Sequence, residues 1–119
     1  MEKIKNLKKK IEQLLNDNKA IDIRTIELGG KSTFADYMII ASGTSSRHLQ
    51  ALSEIILAKF KKEGIANCRL EGKESKEWKL IDGIDIIVHI FNPTKRKFYS
   101  LEKMWSELLP NERLIIWKK

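Results

Sequence analysis

Three stretches of the chain repeat their apolar residues every three or four positions, the spacing that places them on one face of an α-helix. They predict helices over residues 3–18, 46–63 and 94–109. Gly64 is the expected stop of the second helix, and Pro110 ends the third. The apolar faces consist of Ile4, Leu7, Ile11, Leu14 and Leu15, then of Leu49, Leu52, Ile56 and Phe60, and last of Phe98, Leu101, Trp105 and Leu108. We expect each helix to bury this face against the rest of the domain.

Six further stretches are predicted to be strands, at residues 20–28, 35–41, 66–70, 78–81, 84–91 and 114–117. The first changes its alternation parity midway, which indicates a bulge or a strong twist. The second is apolar on both faces, which is typical of a central strand. Asp82 and Gly83 separate two apolar runs and predict a β-hairpin. The face of the last hairpin strand that carries Asp85 and His89 is half polar, so we expect it to be partly exposed.

The order of these elements predicts an α/β fold with a mixed β-sheet. Because the helices are few, a two-layer sandwich is the expected arrangement. The chain contains no internal repeat, low-complexity tract or linker, so residues 1–119 are expected to form a single domain.

Composition restricts the class of protein. The chain has 119 residues, of which 42% are hydrophobic and 33% are charged, as expected of a globular domain. No run approaches the roughly 20 apolar residues of a membrane span, and no secretory signal follows the basic N-terminus. Cys68 is the single cysteine, which excludes an intrachain disulfide and makes a reducing cytoplasm the expected location.

The balance of charge is basic. Lysine and arginine exceed the acidic residues by 23 to 16, for a net charge of +7. This favours a polyanionic neighbour, although scattered lysines are also typical of a merely solvated surface. A sequence-specific nucleic-acid reader would carry more arginine than the five present here. General attraction to an RNA-rich environment is therefore the favoured interpretation.

The most prominent candidate for chemistry is a strand–loop–helix unit in residues 36–51, whose loop runs from Ser42 to Arg47. Backbone N–H groups, hydroxyls and the Arg47 side chain of such a loop could hold a phosphate, as in a nucleotide-binding or nucleotidyltransferase-like enzyme. The competing interpretation is capping of the following helix by Thr44 or Ser45.

Other signs of catalysis or metal binding are weak. A nucleotidyltransferase needs a close pair of carboxylates for magnesium, and Asp82 and Asp85 would diverge across a turn. His48, His89 and Cys68 show no metal-ligand spacing, and the serine-rich loop lacks a nucleophile-elbow motif. The sequence therefore indicates neither a catalytic residue, nor a metal site, nor a cofactor site.

Large aromatic residues near basic residues are candidates for a protein–protein contact. Trp78 starts the predicted hairpin after a charged loop, and its position fits an exposed side chain and a packed one equally well. Tyr99 and Trp105 follow the basic residues 95–97. Phe98 and Trp105 also fit the buried face of the last predicted helix, and for these two the core interpretation is favoured.

Four segments in this order resemble the ribosomal silencing factor family, also called Iojap-like. They are DYMIIASGTSSRHLQAL from residue 36, EGKESKEWKLID from residue 71, GIDIIVHIF from residue 83 and RKFYSLEKMW from residue 96. The resemblance covers roughly residues 20–108, and the first segment is its most specific part.

The resemblance implies a nucleotidyltransferase-like fold without catalytic carboxylates. It also implies binding to a ribosomal protein on the intersubunit face of the large ribosomal subunit, which blocks subunit joining and lowers translation in starvation. A part in large-subunit maturation and a homodimer are further implications. By match to the family motif, the docking candidates are Trp78, Lys79 and Leu80, followed by His89, Tyr99 and Trp105.

Overall fold

The computed structural model of the protein describes residues 2–28 and 35–93. In chain order the elements are α1 (Glu2–Asp17), β1 (Ile21–Glu27), β2 (Tyr37–Ser42), α2 (Ser46–Lys62), β3 (Arg69–Glu71), β4 (Trp78–Asp82) and β5 (Ile86–Phe91). Both helices predicted within this part are confirmed to within a residue at each end. The predicted helix 94–109 and strand 114–117 lie outside the described residues. None of the described helices is long and apolar enough to cross a membrane.

The five strands form one sheet in the order β1-β2-β5-β4-β3. The β2–β5 pair is parallel and the other three pairs are antiparallel. The predicted mixed sheet is therefore confirmed. The apolar second strand, β2, has a hydrogen-bonded neighbour on each side, as its two apolar faces predict.

A bulge interrupts β1, as predicted, but it lies between Ile21 and Arg24, earlier than the change of parity in the sequence. Ile21 pairs with Ser42 and Arg24 pairs with Ile40, so three steps along β1 match two along β2. Asp22, in the extra length, has a φ of 52°. Because of the additional residue, Ile21 lies on the same face of the sheet as Arg24 and Ile26, where regular alternation would place it on the opposite face.

The end of α2 is a Schellman motif centred on Gly64. Gly64 has a φ of 86°, and its N–H donates to the Lys61 carbonyl at 3.0 Å. The Ile65 N–H donates to the Phe60 carbonyl, also at 3.0 Å. Because glycine adopts positive φ without a steric penalty, Gly64 ends the helix where the sequence predicts.

Both helices pack on one face of the sheet, which gives the predicted two-layer sandwich. Ile11 of α1 and Phe60 of α2 are fully buried there with Ile39, Ile81 and Val88 of the strands. Alternate strand residues form a second buried cluster on the opposite face. Its members are Leu28, Ala35, Met38, Ile40, Leu80, Ile87 and Phe91.

The β4–β5 hairpin has a longer turn than predicted. β5 begins at Ile86, and Ile84 lies in the turn with a φ of 71° and 44% exposure. The Gly83 N–H donates to the Ile86 carbonyl at 2.9 Å, and the Ile84 N–H donates to Asp82 Oδ1 at 2.9 Å. These bonds close the turn around Gly83, so the predicted strand start at Ile84 is wrong.

Two further predictions also need correction. The half-polar face of β5 is not exposed, because Ile87, His89 and Phe91 are exposed by at most 2%. The third strand is shorter and later than predicted, since it spans Arg69–Glu71 as an edge strand paired only with β4. In both cases local alternation does not reveal which residues pack against the strand.

Candidate functional site

The docking candidates on β4 divide between the two faces of the sheet. Trp78 and Leu80 belong to the second cluster, on the face away from α1 and α2. Lys79 lies opposite Ile90, a residue of the helix-side core, so its side chain is on the other face. One partner surface therefore cannot contact all three side chains directly.

An aromatic cluster, defined as Trp78, His89 and Phe91, joins the start of β4 to the end of β5. The register pairs Trp78 with Phe91 and Leu80 with His89. The Trp78 Nε1–H donates to His89 Nδ1 at 3.2 Å. The rings of His89 and Phe91 stack with centroids 5.7 Å apart and planes 7° apart. Because an indole only donates, His89 Nδ1 is an acceptor here, which places the proton of a neutral ring on Nε2.

Among the docking candidates that the structure describes, Trp78 is the one with substantial solvent exposure. The Trp78 side chain is half-buried, whereas Leu80 is fully buried, His89 is 1% exposed and Lys79 is 2% exposed. Leu80 and His89 therefore support Trp78 from beneath instead of offering surface of their own. Tyr99 and Trp105 lie outside the described residues. The partner-binding role of these residues stays a prediction.

The loop before β4 positions Trp78 through two residues that the sequence reading missed. Gly72 has a φ of 78°, and a Cβ built on it would lie 2.8 Å from the Trp78 carbonyl oxygen and 3.0 Å from its ring. Ser75 Oγ accepts the Trp78 N–H at 3.0 Å and the Glu77 N–H at 3.2 Å. The glycine and serine in the charged loop were the available signal.

Lys79 is the buried basic group of this region. Its Nζ donates to the Lys73 carbonyl at 2.5 Å. Burial lowers the pKa of Lys79 from its usual 10.5, and the nearby Glu54 carboxylate partly opposes this effect. The ammonium is thus held beneath the 72–77 loop by a neutral carbonyl.

The hydroxyl-rich loop caps a helix. Ser45 is the N-cap residue of α2, and its Oγ accepts the His48 N–H at 3.1 Å. Ser42 is not part of the loop, because it is the buried last residue of β2. The capping prediction is confirmed for Ser45, and this use of the loop supports a structural interpretation over phosphate binding.

His48 connects this loop to the end of α1. The Thr44 N–H donates to His48 Nδ1 at 2.9 Å, and His48 Nε2 lies 2.8 Å from the Asn18 carbonyl. Nδ1 must therefore accept while Nε2 donates, so the bonds specify a neutral imidazole with its proton on Nε2. His48 is occupied as a structural bridge.

The Asp82 carboxylate at the hairpin also makes structural contacts. Asp82 accepts the Ile84 N–H through Oδ1, and its Oδ2 lies 3.6 Å from an Arg69 nitrogen. Across residues 2–28 and 35–93, no three His, Cys, Asp or Glu side chains group in a way that could hold a metal ion. The described part of the chain thus offers a capped loop and a supported aromatic surface.

Comparison with known proteins gives a consistent result. The family model RsfS, "Ribosomal silencing factor during starvation", matches residues 1–115. The ribosomal silencing factor RsfS of Zymomonas mobilis is 43% identical over 99 residues, which cover 83% of this chain and 74% of that protein. A mouse protein, "Mitochondrial assembly of ribosomal large subunit protein 1", is 33% identical over 78% of this chain and 42% of its own length.

Solved structures share the fold. A crystal structure of a protein from Chromobacterium violaceum superposes with a TM-score of 0.81 at 32% identity, covering 90% of this chain and 89% of the other. A crystal structure from Bacillus halodurans gives a TM-score of 0.74 at 32% identity, over 85% and 94% of the two chains. The match of the family model over nearly the whole chain, supported by these relatives, shows that the protein belongs to the ribosomal silencing factor family.

Proposed function

We propose that this ribosomal silencing factor is a non-enzymatic translational repressor that acts in the cytoplasm by steric hindrance. It binds a ribosomal protein on the intersubunit face of the large subunit and prevents the small subunit from joining. Translation then falls when nutrients are limited. The observation that carries the proposal is the family match over residues 1–115. The supported Trp78 surface is the place where we expect docking.

The Trp78 surface has the properties of an interface hot spot. Hot spots are enriched in tryptophan and depend on side chains that are already ordered before binding. The Trp78 ring lies against Gly72, and its Nε1–H is bonded to a buried His89. Little conformational entropy is therefore lost when a partner covers the exposed part of the ring.

Charge contributes to the rate of encounter. A net charge of +7 attracts the protein to a particle rich in phosphate. Such long-range attraction raises the association rate more than it raises the final affinity. We therefore assign specificity to the apolar contact and speed to the charge.

A role in large-subunit biogenesis is a second part of the proposal. Its support is the mouse relative, whose name records assembly of the mitochondrial large subunit. A protein that binds the intersubunit face can occupy the same face on a maturing particle. A homodimer of the free protein is also proposed, and light scattering measures it directly.

The experiment is co-sedimentation with purified large subunits, followed by addition of small subunits. We expect Trp78→Ala to weaken binding to large subunits by more than about 1 kcal/mol, or roughly fivefold, because it removes the exposed part of the ring. The same variant should restore subunit joining at protein concentrations that block it in the parent.

The matched control is Ile84→Ala, which removes another large apolar side chain that is 44% exposed at the opposite end of the hairpin. It should bind as the parent does. Trp78→Phe keeps an aromatic ring in the cluster. Circular dichroism measures whether each variant is folded, so the affinity of a folded variant for large subunits reports docking and not loss of folding. The proposal is wrong if the parent protein fails to co-sediment, or if it binds without hindering subunit joining.

A further inference from the structure

A groove of about 480 Å³ lies between the N-terminal half of α2 and the loop at residues 72–77. We call it the basic groove. Its charged lining consists of Arg47, Lys73, Lys76 and Lys79 against Glu54 and Glu74. Four cations against two carboxylates leave an excess of two positive charges at this place.

The lining of the groove includes a buried cation that is only partly compensated. Lys79 is 2% exposed, and the hydrogen-bond partner of its Nζ is the neutral Lys73 carbonyl. The one acidic side chain that raises its pKa, Glu54, is itself engaged by Gln50, whose Nε2 donates to Glu54 Oε2 at 2.6 Å. Because burial disfavours this charge, an anion in the groove would relieve its cost.

The rim of the groove carries exposed cations. Arg47, Lys73 and Lys76 are all solvent-exposed and come from two separate segments, α2 and the 72–77 loop. Ser46 and Ser75 add hydroxyl groups to the lining. Long exposed cations around an open groove suit an extended anion that crosses it, since each side chain can reach a different phosphate.

We propose that the basic groove binds the phosphodiester backbone of RNA, as a contact separate from the Trp78 surface. The two sites share one segment: Trp78 faces away from the helices and Lys79 faces the groove beside α2. When this chain is docked on its protein partner through Trp78, the groove would thus face RNA next to that partner. That this RNA is ribosomal rests on the proposed function, whereas RNA binding itself does not rest on it.

The test is fluorescence anisotropy of a labelled RNA hairpin with the purified full chain, measured over a range of salt concentrations. The variant is Lys73→Ala with Lys76→Ala, two exposed positions whose loss leaves the Lys73 carbonyl in place. We expect the Kd to rise about tenfold. The slope of log Kd against the logarithm of the salt concentration should fall by about one per lysine removed. Arg47→Ala should weaken binding in the same direction.

The matched control is Lys3→Ala with Lys5→Ala, two exposed lysines on α1 whose loss gives the same net charge. It should retain most of the affinity. Equal losses in both double variants would reduce the effect to overall charge and overturn the groove. Displacement of the RNA by equimolar ATP would assign the groove to a free nucleotide instead. If the Lys73→Ala, Lys76→Ala variant loses RNA binding but still co-sediments with large subunits through Trp78, the proposed repressor function stands.

Discussion

Gly83 occupies a position where the ring of Phe60 leaves no room for a side chain. A Cβ built on Gly83 would lie 2.5 Å from Phe60 Cζ. Phe60 is fully buried in the helix-side core, so its ring cannot swing into solvent. The turn of the hairpin is therefore packed directly against α2, and the glycine is required by space and not by its backbone angle.

We expect Gly83→Ala to lower the free energy of unfolding by about 1–3 kcal/mol through overpacking. Urea denaturation measures the loss. Gly64→Ala is the comparison, since Gly64 has open space around it but a φ of 86°, and it should lose about 1 kcal/mol for a backbone reason.

Combination with Phe60→Leu distinguishes the two causes. The smaller Leu side chain should recover part of the Gly83→Ala loss, whereas its effect should simply add to that of Gly64→Ala. Strict additivity in both pairs would contradict the steric explanation at Gly83.

At the scale of the element, α2 positions the basic groove. Its N-terminal half lines the basic groove, and its apolar face buries Leu49, Leu52 and Ile56 against the sheet. Its first turn contains no acidic residue, so the Ser45 cap is a main support of the orphan N–H groups there. The position of the groove thus depends on a well-formed helix start.

Ser45→Ala should cost about 1 kcal/mol of stability, because it removes the oxygen that accepts the His48 N–H. Ser46→Ala is the matched control, since it deletes the neighbouring exposed hydroxyl one residue inside the helix. Thermal unfolding by circular dichroism measures both. Equal shifts for the two variants would show that Ser45 does not act as the cap.

At the scale of the whole molecule, silencing by obstruction requires no chemical step. The described part of the protein has a radius of gyration of 13.1 Å, and under the proposed function a body of this size on the intersubunit face would prevent close approach of the small subunit. Two ligands that exclude each other reduce each other's affinity by the same factor. Obstruction is therefore reciprocal.

We expect the order of addition to decide the outcome at short times. Protein added to free large subunits should block joining, while preformed ribosomes should exclude the protein until they dissociate. Sucrose-gradient sedimentation separates the species, and Trp78→Ala serves as the control that fails to block. A stable complex of the protein with joined ribosomes would contradict steric exclusion.

Periodicity along the chain was sufficient to predict α1, α2, the bulge in β1 and the stop at Gly64. Each of these depends on residues close in sequence, whose spacing or backbone preference acts before any tertiary contact forms. The family could also be identified from short ordered segments of the chain. The mixed sheet followed from the order of elements, because parallel and antiparallel pairs need different connections.

Which candidate residues are exposed, and which distant residues lie together, could be read only from the folded chain. Alternation on β5 suggested an exposed face, yet His89 is buried because it stacks on Phe91 and receives the Trp78 indole. The basic groove joins Arg47 to Lys73 and Lys76, which no local pattern connects. Burial and charge clustering depend on which elements pack together, and that arrangement is a property of the folded chain as a whole.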